Sequence, residues 1–418
     1  MIHLLTIGLC ILFAIFYYWI TKPFNRIKRF GDIGVFVGKI KINKPYRKAF
    51  LEQMRRLRVI GKIPPVYPNG WFCIAESRQI KLKEVQPIIF LGQQLTLLRS
   101  ETGKVYLINS YCPHLGANFS IGGRVVNDNC IQCPFHGWIF NAETGICNRI
   151  PYESINSTIP EQAKVSVWPV VEKNMHIYAW YHCDGKDPEW EIPDVDEITS
   201  GEWKYRGRIE HEINCHIQDL PENAADIAHL NYLHLAGTTK GNDICKIEME
   251  NPEPIIRHVW DGRWEQKQGS DKHIAVMYLK QVMTILKIPV PLTYSDLQAR
   301  QIGPGIVYMM FDFGFLGSGI VLQHVTPEEP LFQRSRFVMY SNLPKIFANL
   351  FQLCEAIHFE RDVYIWNNKC YIKRPLLTKN DGPISKHRRW YNQFYTDNSP
   401  SLESDGTLSN EVKSIFDW

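Results

Sequence analysis

The chain has no internal repeat, no low-complexity tract and no dinucleotide or flavin fingerprint, so nothing in it marks a nucleotide cofactor of its own. It also has little net charge, +4 over 418 residues. What excess there is sits in one place: thirteen Lys or Arg lie between Lys22 and Lys62, against only Asp32 and Glu52. That basic segment follows a hydrophobic run, which points to a membrane surface and away from a nucleic-acid partner. Eleven cysteines are an odd number, without the short secreted framework of a disulfide scaffold. They suit a reduced, cytosolic setting with a metal site. At 45% hydrophobic and 22% charged, the chain shows no bias towards disorder and suggests about two globular domains.

The first twenty residues, "MIHLLTIGLCILFAIFYYWI", carry no formal charge. As a helix they span about 30 Å, the thickness of a bilayer core, and Tyr17, Tyr18 and Trp19 stand where an interfacial belt belongs. Residues 1–21 therefore read as a transmembrane helix. A cleaved secretory peptide is the alternative, but a basic n-region and a small-residue cleavage site are both missing. With Lys22, Arg26, Lys28 and Arg29 following, the positive-inside rule puts the rest of this single-pass protein in the cytosol.

A basic, partly helical connector, 22–62, ends at Pro64, Pro65 and Pro68. Region 63–180 is a series of short β-runs such as "WFCIAES", "PIIFLGQQLTLLRS", "KVYLINS" and "HIYAWYH". Region 181–395 mixes alternating strands, "IAVMYLKQVMTIL" and "GIVYMMFDFGFLGSGIVLQHV", with two helices. One helix is expected over "DLPENAADIAHLNYLHLAG", with Asp219 as N-cap, Pro221 in the first turn and Gly237 at the end. The other is "LFQLCEAIHFERDVYIWNNKCYI". Residues 396–418 form a polar tail expected to be loosely held. The fold class is α+β, with an antiparallel sheet in the second region.

"CPHLGANFSIGGRVVNDNCIQCPFHGW" holds Cys112, His114, Cys133 and His136, one Cys and one His on each of two loops, eighteen residues apart. A Cys2His2 zinc site is the competing reading, but zinc fingers pair Cys with Cys and His with His at their knuckles. One of each per loop is what a Rieske [2Fe-2S] centre needs, since one iron takes both thiolates and the other both imidazoles. Cys130 and Cys147, close by, read as small buried residues.

Downstream, "NAADIAHLNYLH" places Asp226, His229 and His234 together. Five residues along a regular helix turn the second His about 140° from the first, so both reach one metal only if the helix is distorted or ends there. Together with the upstream motif, the segment signals a two-His, one-carboxylate triad for Fe(II) that leaves positions open for O2. Asp362 lies on the stripe Phe359, Val363, Trp366 and is the first candidate for the third ligand. Glu355 shares that face and is the second; Glu360 points away. Asp362 paired to a neighbouring Arg is the alternative.

The order "CPH … CPFHGW", "NAADIAHLNYLH", "ERDVYIW" resembles the Rieske non-haem iron oxygenases over residues 63 to 395. The N-terminal hydrophobic segment and "DGPISKHRRWYNQFY" resemble the cholesterol 7-desaturase (Neverland) family within them. The resemblance implies an all-β Rieske domain and a helix-grip catalytic domain with a curved antiparallel sheet. It implies that Cys112, His114, Cys133 and His136 hold the cluster and His229, His234 and Asp362 the iron. Asp226 would bridge to a cluster His of the next subunit in a homotrimer. Electrons would come from NAD(P)H through a separate reductase, and the reaction would turn cholesterol into 7-dehydrocholesterol with O2, in steroid hormone biosynthesis. The expected place is the endoplasmic reticulum membrane, facing the cytosol. Two other functions remain open: a Rieske monooxygenase hydroxylating another steroid or ring substrate, and a non-enzymatic membrane-tethered lipid-binding protein with a zinc site.

Overall fold

Between Gly70 and Tyr181 the apolar runs and intervening turns become three small antiparallel sheets. The computed structural model describes residues 2–35, 44–56, 62–247, 255–403 and 405–409; the side chains of 2–5, 19, 44 and 292 also lie outside the described residues. The run expected as "PIIFLGQQLTLLRS" is a hairpin of Val85–Phe90 and Gln93–Arg99, reversed at Leu91 and Gly92, both at positive φ. The gap between the two Cys/His pairs is also a hairpin. Arg124–Val126 pairs with Cys130–Gln132, and Asn127 and Asp128 turn the chain at φ 48° and 59°, a region their short side chains tolerate.

After residue 200 a nine-stranded sheet dominates. Its order is Phe24–Lys28, Lys204–Ile213, Phe332–Ser341, Ser318–Glu329, Ile306–Asp312, Ser295–Ile302, Ile274–Ile285 and Ile256–Gln266, with Ile288–Pro289 paired beside Ile274–Ile285. It departs from the expected antiparallel sheet at one edge. Phe24–Lys28, from the basic connector, pairs in parallel with Lys204–Ile213, so the sheet is mixed. Gly207 makes room for it: a Cβ there would lie 2.2 Å from the Phe24 carbonyl oxygen. The long helix Lys345–Trp366 lies on the sheet's apolar face, where Ala348 and Ala356 pack with Ile209, Phe337 and Met339.

Two expectations at the termini are corrected. A helix does form over Ile2–Thr21, but among the described residues no helix is long and apolar enough to cross a membrane. The helix is tied at its base, where Asn349 Nδ2 donates to the carbonyls of Ile20 and Lys22, each at 2.8 Å. The start of the polar tail is not loose. Val66 N donates to Pro400 O at 2.8 Å, Ser401–Leu402 pairs with Leu408–Ser409, and both leucines pack on a core that includes Tyr67. Residues 410–418 lie outside the described residues.

Candidate active site

Each Cys/His loop closes on itself in the same way. Gly116 N donates to Cys112 O at 2.9 Å, and Gly137 N to Cys133 O at 3.2 Å. Gly116 and Gly137 adopt φ 71° and 73°, which a side chain would strain. The loops face each other, with Cys112 and Cys133 buried inward and His114 and His136 4.6 Å apart between ring centroids at the surface side. His114 also stacks on Trp138 at 4.6 Å and 8°. The Cys112 thiol hydrogen-bonds Cys133, which pulls the Cys133 thiol down to about 6 and pushes Cys112 up. Thiols this close reach one iron, and imidazoles this close reach a second, so the donor set fits a [2Fe-2S] cluster. Leu115, Ile121 and Phe135 stand exposed around the histidines.

The helix expected over "DLPENAADIAHLNYLHLAG" is broken. It is two four-residue helices, Asp219–Glu222 and Ile227–Leu230. Asp219 is not an N-cap: its carboxylate accepts from His216 N at 3.1 Å and pairs with Lys369 at 2.8 Å. Asp226 instead caps the second helix, accepting from His229 N at 3.2 Å. Because that helix stops at Leu230, His234 swings back beside His229, with ring centroids 5.2 Å apart. Asp362 meets them from the long helix, its Oδ1 3.1 Å from His234 Nε2 and 3.9 Å from His229 Nε2. Ligand atoms of His229, His234 and Asp362 lie within 4.8 Å of one another.

The surroundings orient these groups. His229 Nδ1–H donates to the Asp226 backbone carbonyl, which leaves Nε2 bare towards Asp362. Burial disfavours charge on His229, but Asp226 and Asp362 outweigh it and raise its pKa. His234 Nδ1 is buried without a partner. The neighbouring Arg361 does not pair with Asp362. It is fully buried and gives its guanidinium hydrogens to the carbonyls of Leu233, Ala236, Gly237 and Gly241, clamping the turn that carries His234. Two imidazoles, one carboxylate and a free buried nitrogen fit a facial-triad iron.

Glu355 stands on the same face but outside the ligand group, its carboxyl pushed up to about 7 by burial and by Asp362. Glu360 points away from the triad as expected, yet it is not solvated: it is fully buried, held by Arg26, His211 and Asn242. Cys130 and Cys147 are buried. Sequence reasoning missed His358, one turn before Asp362 on the helix, whose ring is 5.1 Å from His234 and 4.9 Å from His258. Its i, i+4 spacing to Asp362 was the available signal. Burial keeps His358 well below the usual histidine range, so it is neutral.

The triad opens onto a cavity with about 1050 Å³ of empty space, part of it open to solvent. Its walls are largely apolar: Trp260 and Met277, Leu279, Leu297 and Ala299 on the sheet, Phe359 on the helix.

Comparison with known proteins accounts for this arrangement. The Rieske [2Fe-2S] domain matches residues 70–165, and the 3-ketosteroid 9alpha-hydroxylase C-terminal domain matches residues 179–395. A cholesterol 7-desaturase of Caenorhabditis elegans is 59% identical over 95% of this chain and 93% of its own length. The chain belongs to the cholesterol 7-desaturase family. A second member, from Xenopus laevis, is 42% identical over 92% of this chain and 83% of its own. Membership makes the chain a Rieske-type oxidoreductase: a [2Fe-2S] cluster, a mononuclear iron, O2 and electrons from a separate reductase are its working parts. The fold is also that of dicamba monooxygenase bound to dicamba, with TM-score 0.55 at 18% identity over 79% of this chain and 98% of that one.

Proposed function

We propose that the protein is a sterol 7-desaturase that converts cholesterol to 7-dehydrocholesterol, with O2 and electrons drawn from NAD(P)H through the reductase. One observation carries the reading: the two-His, one-carboxylate group forms the polar end of an apolar cavity, in a chain 59% identical to a cholesterol 7-desaturase. Cys112, Cys133, His114 and His136 hold the cluster, and His229, His234 and Asp362 hold the iron. When bound, these groups supply electrons and O2 activation for removing hydrogen from an unactivated carbon. The chain's own share is binding and orientation. Leu297, Ala299 and Phe359 take the ring system out of water, so one carbon–hydrogen pair lies over the triad. Loss of a second hydrogen from the adjacent carbon, in place of oxygen rebound, follows from that fixed pose.

Asp226, a third exposed at its side chain, is suited to bridge His229 to a cluster histidine of a neighbouring copy, which makes the working form a homotrimer. The helix Ile2–Thr21 exposes Leu9, Leu12, Phe13 and Phe16 to more than half, which supports attachment to a membrane surface that delivers the sterol, on the cytosolic side of the endoplasmic reticulum. The test is direct. Full-length protein, reductase, NADPH and cholesterol should yield 7-dehydrocholesterol, read by its conjugated-diene absorbance. A hydroxylated sterol, or no product from protein with an intact Rieske resonance signal, would refute the reading.

A further inference from the structure

We propose that Cys73, His176 and His324 form a third metal site, holding one thiophilic closed-shell ion, Zn2+ or Cu+, at the seam between the Rieske and catalytic parts. The three residues come from separate strands: Cys73 from Gly70–Glu76, His176 from the paired strand His176–Tyr181, and His324 from the nine-stranded sheet at Ser318–Glu329. All three are buried, at 2%, 0% and 1% exposure. Their ligand atoms lie within 4.8 Å of one another. Ligands about 2.0–2.3 Å from a zinc ion stand up to about 4 Å apart, so small side-chain rotations close the site.

The hydrogen bonding leaves both imidazoles with a free lone pair. His176 Nδ1–H donates to Asn174 O at 2.8 Å, and His176 Nε2 is buried without a partner. On the other side, the Tyr308 hydroxyl donates to Pro193 O at 3.2 Å and takes a hydrogen bond from Asn174 Nδ2 at 2.8 Å. His324 Nε2 lies 3.0 Å from the Tyr178 oxygen and donates to it, because a ring proton on Nδ1 would be buried with no acceptor. That leaves His324 Nδ1 bare, and it too is buried without a partner. Each histidine thus has one nitrogen fixed by an outer hydrogen bond and the other free, the arrangement that orients metal-bound imidazoles. Two such nitrogens beside a cysteine sulfur are a soft donor set.

The electrostatics agree with this geometry. Burial pushes the Cys73 thiol up to about 12 and His176 down to about 4, and takes His324 well below the usual histidine range. Without an ion the site is therefore a neutral thiol and two neutral imidazoles, and binding releases the Cys73 proton. Arg336 Nη1 lies 4.0 Å from the sulfur and favours the thiolate, while its own charge is met by Glu210 at 3.4 Å. Cys73 also lines a surface pocket with Thr326 and Arg336, which supplies a way in.

The test uses iron-replete, full-length protein grown with zinc and copper available. Elemental analysis should find one zinc or one copper per chain besides the iron, and which of the two is present identifies the ion. X-ray absorption at that metal's edge should show one sulfur and two nitrogens. Cys73→Ala and His324→Phe should each lose that metal and keep the iron and the Rieske resonance signal. Iron-replete wild-type protein free of both metals would overturn the proposal. So would a first shell without sulfur, or Cys73→Ala retaining the ion. Because the absorption measurement needs only wild-type protein, a variant that fails to fold does not block the decision.

Discussion

His234 Nε2 stands 3.1 Å from Asp362 Oδ1 across 128 residues of chain. Asn at 362 keeps the shape and removes the charge, so Asp362→Asn should lose the mononuclear iron and leave the cluster in place. Turnover should fall by more than about 100-fold, since even partners one shell further out are worth 10–100-fold in metal affinity or activity. Iron content with the Rieske resonance signal measures both. Full iron in Asp362→Asn, together with iron loss in Glu355→Gln, would transfer the role to Glu355.

Arg361 holds the His234 turn through four different carbonyls. It has no carboxylate partner among them, so its contribution is the planar fork. A lysine cannot reproduce that geometry. Arg361→Lys is expected to weaken iron binding by about 10-fold or more while the cluster signal is kept. Iron affinity equal to wild type in a chelator competition would show that the clamp does not position His234.

The two sites differ in how much of them was legible in the sequence. The cluster loops were readable because each is a local unit, Cys112 to Trp138, whose glycines and turn residues impose the geometry. The spacing of His229 and His234 was not interpretable alone, since it depends on the helix ending at Leu230. Long-range pairings were harder still. Nothing local in "FNRIK" says that it joins a sheet whose nearest strand in the chain begins at Lys204. Glu360 read as merely facing away, because its partners Arg26 and His211 are far off in sequence. The hydrophobic N-terminus showed a helix correctly.

That Glu360 pair gives a pH-dependent prediction. Burial opposes its charge, but hydrogen bonds from Arg26 at 2.5 and 2.7 Å and the nearby His211 hold its pKa down to about 2. A carboxyl whose folded pKa is depressed adds stability that is fully present above its ordinary value of 4.5 and is lost as pH falls from there towards about 2. Arg26→Ala leaves the carboxylate buried without its main partner and should cost about 3 kcal/mol near neutral pH. The gap to wild type should narrow as pH falls below 4.5. Denaturant unfolding at several pH values checks it, and a gap independent of pH would mean that Arg26 acts through packing alone.

Asp226 combines a capping bond to His229 with a partly exposed carboxylate. If it links the iron site to a neighbour's cluster, Asp226→Asn should keep both metal centres and the cap, since an amide oxygen still accepts from His229 N. Turnover should nonetheless drop by about 100-fold, with the cluster reduced and waiting. Single-turnover reoxidation of the reduced cluster measures the step. Wild-type reoxidation rates in Asp226→Asn would remove Asp226 from the electron path.

Gln323 is a polar group on an apolar wall. It pairs across the sheet with Val307 on one side and Phe337 on the other, lines the cavity, and its amide donates to Met309 Sδ at 3.6 Å, a weak acceptor. A sterol brings one hydroxyl into this space, and a hydroxyl buried without a partner costs about 1–3 kcal/mol. Gln323→Leu should therefore lower kcat/KM for cholesterol by about 10-fold or more. A sterol analogue lacking the hydroxyl separates pairing from shape. Wild type should discriminate against the analogue and Gln323→Leu should not, because only a lost hydrogen bond removes the preference. If the preference survives in Gln323→Leu, Gln323 does not receive the hydroxyl.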